Sequence, residues 1–273
     1  MTLKVRNRLI TAFLIFSIIS LITIISLLIS NIANGTFKTV FGYDFFSLEQ
    51  LSFIKPGQKT VLLSLIFIQF FVPVTACVLY FNFEKTQSSL IILFCAFLLG
   101  TQMELSKLYI ALFNLQDTYS EIYLLLGNFS LMGKLISLFS FFLIASECKN
   151  TQKLDVEIDL IIILTISIFV TVCIPLNTSK CTNTFELTYG FSKTVIVLFI
   201  TVVILTILTF IFSYRETENK KILHLMICYI FIMLGDYILT SSNIAVYVLA
   251  GSLCLIAGTN RFMKTLHRMY LWD

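Results

Sequence analysis

Eight apolar runs, each about as long as a lipid hydrocarbon layer is thick, occupy most of this 273-residue chain. A layer of about 30 Å is crossed by about 20 apolar residues in an α-helix. The runs are 9–30, 61–81, 90–113, 122–145, 158–176, 191–213, 222–240 and 244–260. Lipid offers no hydrogen bonds, so each run must satisfy its own backbone by coiling into a helix. Hydrophobic residues make up 58% of the chain and charged residues 12%. Soluble proteins run at about 45–50% and about 25%, and a water-facing fold of this size has no room to enclose the surplus. The expected fold is all-α: a polytopic transmembrane helical bundle of about eight spans, with the lipid bilayer as its first partner.

The first run follows Lys4, Arg6 and Arg8, like the start of a secretory signal. Its apolar stretch is longer than the 7–15 residues of a signal peptide and ends without a small-residue cleavage site. It reads as an uncleaved anchor with the N-terminus inside. Alternating the other runs from there places Lys4, Arg6, Arg8, Lys85, Lys149, Lys153, Arg215, Lys220, Lys221, Arg261, Lys264 and Arg268 on the inner side. The outer side receives Lys38, Lys55, Lys59, Lys180 and Lys193. That excess agrees with the positive-inside rule and puts both termini in the cytoplasm of a cell with a cytoplasmic (inner) membrane. A seven-span threading would move the basic C-terminal end outside and weaken it. Only Ser241, Ser242 and Asn243 separate the last two runs, so that pair is either a tight hairpin or a re-entrant loop.

Three parts follow from this threading: residues 1–60 as anchor and outer segment, 61–260 as a seven-helix membrane core, and 261–273 as a basic amphipathic tail. In the outer segment Tyr43, Phe46, Leu48, Leu51 and Ile54 roughly follow helical spacing before Pro56-Gly57. In the tail Phe262, Leu266, Met269 and Tyr270 share a face, and Trp272 suits a headgroup anchor. Either part is a place for a membrane or cytoplasmic protein partner. No basic stripe interleaved with aromatics is present, so no nucleic-acid partner is expected.

Glu104, Lys107, Lys134 and Asp236 fall inside the apolar runs. A charge at such depth costs roughly 2.5–3.5 kcal/mol on insertion scales, so each must be paired, hydrated or used. Glu104 and Lys107 are three apart on the third run and share a helix face. On the fourth run Gly127, Ser130, Lys134 and Ser137 share another, and small residues there let a neighbouring helix approach. The third and fourth runs form a hairpin, which makes Glu104 facing Lys134 the simplest pairing. Lys107 is shallow enough to reach the outer surface by snorkelling. Asp236 is left to pair with either lysine or to meet water.

The seven cysteines show neither CxxC nor zinc spacing and read as small packing residues. Cys173 and Cys181 flank one outer loop, which allows a disulfide between them on an oxidising side. No nucleotide-binding, serine-hydrolase or zinc-protease motif occurs, so neither an enzyme nor a cofactor is expected. His224 and His267 fall on the inner side. Gly133-Lys134 and Gly235-Asp236 are spaced like corresponding points of an inverted three-helix repeat, as are Pro73 and Pro175. Two functions compete. In the first, a small secondary transporter or ion or solute pathway uses Glu104, Lys134 and Asp236 as binding groups, with Lys107 at the outer mouth. In the second, a non-catalytic sensor or assembly subunit uses the same charges to fix helix order. The first needs charges that water can reach; the second needs a closed, dry pair.

Overall fold

A computed structural model of the chain describes residues 3–35, 57–83, 88–113, 115, 121–148 and 156–271. Nine helices occur among them: α1 (Leu3–Ala33), α2 (Gln58–Phe83), α3 (Ser89–Glu104), α4 (Ser106–Leu112), α5 (Glu121–Glu147), α6 (Val156–Cys173), α7 (Ser192–Thr217), α8 (Lys220–Ser241) and α9 (Ala245–Leu271). α3 and α4 continue one another as a single span, Ser89–Leu112, so eight helical segments are long and apolar enough to cross a membrane. The expected all-α bundle of about eight spans is the observed fold.

Side-chain contacts fix which helix ends lie together. Arg6 near the start of α1 donates to the carbonyl of Phe83 at the end of α2, and the Phe83 ring meets His267 of α9 edge-on. At the opposite end Asn31 of α1 donates to the Leu112 carbonyl of α4, and Gly57 before α2 donates to Asn243 between α8 and α9. The last two runs are therefore two full-length helices around a tight turn, not a re-entrant loop. α9 continues unbroken through Leu271, so residues beyond Asn260 extend the eighth span. Phe262 and Leu266 of that extension are fully buried, and Phe262 stacks on Phe94 with ring centroids 4.9 Å apart. Trp272, and residues 36–56 of the outer segment, lie outside the described residues.

α3 is the axis of the bundle. In its span, Ser89–Leu112, 83% of the apolar window is buried, against 17% in α1 and 22% in α7. The cause is visible in its sequence, where glycine and small residues allow backbones to touch. A Cβ on Gly100 would lie 2.7 Å from the Gly133 carbonyl oxygen of α5, and one on Gly133 would lie 2.5 Å from the Glu104 nitrogen. α8 and α9 cross in the same way, with Gly235 against the backbone of Gly251 and Leu255. Below the α3–α5 crossing, Phe94, Phe97, Phe141, Tyr229 and Phe262 form one aromatic cluster.

Between α6 and α7 the chain makes an antiparallel hairpin, β1 (Leu176–Cys181) and β2 (Leu187–Tyr189). The alternation Phe185, Leu187, Tyr189 has the period of a strand with one buried face. Phe185 and Leu187 are indeed fully buried, and Leu176 and Leu187 fill the notch left by Gly127 of α5. Gly127 thus receives the hairpin rather than a helix. Cys173, at the end of α6, is a free exposed thiol; the side chain of Cys181 lies outside the described residues.

Candidate functional site

The regular turns of α3 end at Glu104. Leu105 occupies a tightened turn, in which the Leu108 N–H bonds back three residues to the Leu105 carbonyl at 2.9 Å. Such a turn inside a spanning segment marks a change of helix geometry at the point where the first buried charge sits. It is also where α5 comes closest. With no side chain on Gly133, the α5 backbone lies against Glu104, and the stem of Lys134 emerges beside that carboxylate.

Glu104 Oε1 is shared by two ammonium groups, Lys107 Nζ at 3.1 Å and Lys134 Nζ at 3.6 Å. Lys107 also donates to the Thr240 carbonyl of α8 at 3.0 Å. The Thr240 hydroxyl in turn donates to the Asp236 backbone carbonyl at 2.9 Å. Lys134 reaches a second carboxylate, Glu186 Oε1 at 2.5 Å, which also accepts from the Tyr189 hydroxyl. One chain of contacts therefore joins α8, α4, α3, α5 and the hairpin.

The expected meeting of Glu104 and Lys134 is present. Two other expectations are corrected. Lys107 does not snorkel to the surface: its side chain has no exposure, because Glu104 and the end carbonyl of α8 hold its ammonium inside the bundle. Asp236 neither pairs with a lysine nor reaches water. It is 5% exposed, makes no ion pair within the described residues, and leaves Oδ1 with no hydrogen-bond partner. Its carboxyl nonetheless lies within electrostatic range of Glu104, Lys107 and Lys134. Gly133 and Gly235 also fail to correspond as a repeat would require. Gly133 packs on the helix before it in sequence, Gly235 on the helix after it.

Glu186 is the member that sequence reasoning missed. It sits in the turn of the hairpin, outside the apolar runs. Burial raises its affinity for a proton, but the Lys134 ammonium, then the Lys107 ammonium, and hydrogen bonds from Lys134 and Tyr189 outweigh that and hold its carboxyl at about 2. Burial moves the Tyr189 phenol the other way, above its ordinary range, so it remains a donor. The signal in the sequence was Glu186 itself, the one carboxylate between the fifth and sixth runs, flanked by alternating apolar residues.

The tally of groups is now three carboxyls, Glu104, Glu186 and Asp236, against two ammoniums. Exposure is graded along the chain of contacts. Lys134 and Glu186 keep side-chain exposures of 20% and 15%, whereas Glu104, Lys107 and Asp236 are enclosed. A second polar knot lies deeper. Gln102 of α3 donates to Ser20 of α1 at 2.8 Å and to Gln69 of α2 at 3.0 Å, and ties α1 to the core. Comparison of the chain with protein-family models and with curated proteins finds no match.

Proposed function

We propose that the protein is a small secondary transporter or ion pathway of the cytoplasmic membrane, with its hairpin end outside and both termini inside. The observation that supports this reading is the carboxyl of Asp236, which makes no ion pair among the described residues and is enclosed beside a charge chain that keeps partial exposure at Lys134 and Glu186. A cluster built only to hold helices together is cheapest when its charges cancel, since an unpaired buried charge costs several kcal/mol. Intramembrane carboxyls beside interrupted helices are the recurring means by which carriers hold a coupling ion. In this reading the tightened turn at Leu105 is where the span changes geometry beside the carboxyls, and the Lys134–Glu186 pair is the outer closure.

The test is transport by the purified full chain in sealed liposomes, read as proton or sodium flux under an imposed gradient. The reading expects flux that Asp236→Asn abolishes while the variant remains inserted and monodisperse. Flux absent from the wild type across both ions, or unchanged in Asp236→Asn, removes it.

A second reading, a non-catalytic sensor or assembly subunit, is favoured by the enclosure of Glu104 and Lys107 at 2% and 0% exposure. In it the charges lock helix order and a partner protein supplies the activity. A stoichiometric partner retained in mild detergent, together with no flux, selects it.

A further inference from the structure

Among the described residues, Asp236 is the one member of the cluster that makes neither an ion pair nor a hydrogen bond through Oδ1. Among the described residues, α7 packs on α8 and carries Lys193 at its outer end, and three charged groups act on Asp236 from other helices. α3 contributes Glu104, α4 Lys107 and α5 Lys134. Lys107 is committed to Glu104 and to the Thr240 carbonyl, and Lys134 to Glu104 and Glu186. α2, which touches α8 through the Ser64 hydroxyl on the Leu239 carbonyl, brings no charged side chain there other than Lys59 at its outer end. α9, packed on α8 through Gly251, carries no charged residue in its outer half. Asp236 Oδ1 is buried, lacks a hydrogen bond, and is held by a helix whose preceding glycine is clamped against α9.

We infer that Asp236 binds one exchangeable monovalent cation, a proton or an ion of sodium size, delivered from the outer side past Lys134 and Glu186. Among the described residues, occupancy makes the cluster neutral: three carboxyls face two ammoniums and the bound cation. Loss of the cation leaves one negative charge enclosed, which favours movement of α8 away from Glu104 and hydration of the site. Lys107 is the positioning residue of this exchange. Its bond to the Thr240 carbonyl holds the end of α8 one turn from Asp236 against the segment after Leu105, and releasing α8 breaks that bond. The inference rests on the carrier reading for its purpose and names the coupling ion's class.

The experiment uses the full chain in detergent micelles or nanodiscs and a hydrophobic carbodiimide, which modifies carboxyls that carry a proton in an apolar setting. Peptide mass spectrometry reads which residue is modified. The expected result is a single adduct on Asp236, lost in Asp236→Asn and retained in Asp236→Glu, with Glu104 and Glu186 unmodified. Sodium that protects Asp236 and raises the wild-type melting temperature identifies the cation as sodium. Labelling insensitive to sodium identifies it as a proton. The wild-type measurements need no variant to fold. An adduct on Glu104 instead, or no adduct on Asp236 together with no sodium-dependent melting shift, overturns the inference. Occupancy without flux in liposomes would overturn the carrier reading and leave the binding site standing.

Discussion

Glu186 Oε1, at the turn of an extramembrane hairpin, lies 2.5 Å from Nζ of Lys134, about half-way down a spanning helix. A loop residue thus reaches a side chain that the linear sequence places inside the fourth apolar run. It arrives there because Gly127 leaves a notch for Leu176 and Leu187, and because Phe185 and Leu187 bury their apolar surface in the bundle. The hydrophobic drive of the hairpin carries the carboxylate to its partner.

This pair makes stability dependent on acid. The Glu186 carboxyl is held at about 2 in the fold, below its ordinary value of 4.5. Its contribution is therefore full above about pH 4.5 and is lost as pH falls through about 2. The loss amounts to roughly 3 kcal/mol by linkage. Melting temperature followed from pH 6 to pH 2 in detergent checks it; Glu186→Gln flattens that part of the curve and melts lower at pH 6.

Lys107 is expected to tolerate removal badly. Lys107→Met leaves Glu104 with one counter-charge and the Thr240 carbonyl without its donor, which costs about 3–5 kcal/mol for a buried pair broken on one side. The double variant Glu104→Gln/Lys107→Met removes both partners and costs less than the two single changes added together. A double-mutant cycle of detergent or thermal unfolding measures the difference, and strict additivity refutes the pairing.

The α3–α5 crossing predicts a sharp contrast between glycines. A methyl at Gly133 meets Glu104 N at 2.5 Å and the Gly100 carbonyl at 2.5 Å, both backbone atoms that cannot move aside. A methyl at Gly251 meets side-chain atoms of Ile238 and Leu239 from 2.9 Å outward, which can turn. Gly133→Ala is expected to cost about 3 kcal/mol or more, and Gly251→Ala about 1 kcal/mol. Expression level and melting temperature of the two variants, compared side by side, decide this.

Gln102 joins α1 to the core through Ser20 and Gln69. Gln102→Leu removes two buried hydrogen bonds at a cost of about 1–2 kcal/mol. The sign of failure is local: α1 detaches before the rest unfolds. Crosslinking between cysteines placed at Ser20 and Gln69 should fall in the variant, while the α3–α5 contact stays intact.

Much of this architecture was legible in the chain. The eight runs give eight spans because length and hydropathy alone decide what lipid admits. Glu104 meets Lys134 because consecutive helices pack as hairpins and because glycines precede or accompany the charges. The fate of Lys107 was not legible. Depth in a helix says how far an ammonium must travel to water, but not that a carbonyl at the end of α8 waits closer by. Glu186 was hidden for a related reason: periodicity over three residues, Phe185, Leu187 and Tyr189, is too short to announce a strand beside runs of twenty. Asp236 was visible as a buried charge, but only the packing around α8 reveals that, among the described residues, Lys107 and Lys134 are committed to other partners.

The separation of Lys134 from Glu186 by 52 residues has a consequence for biosynthesis. At about 5–20 residues per second, a ribosome needs about 3–10 s to supply the second after the first. Throughout that interval the nascent chain holds Lys107 and Lys134 against Glu104 alone, an excess of one positive charge. Export of the hairpin brings it to zero, and Asp236 then adds a third carboxyl whose own cation must arrive with it. The newborn protein balances its interior charge in steps, the last of them just before its final helix leaves the translocon.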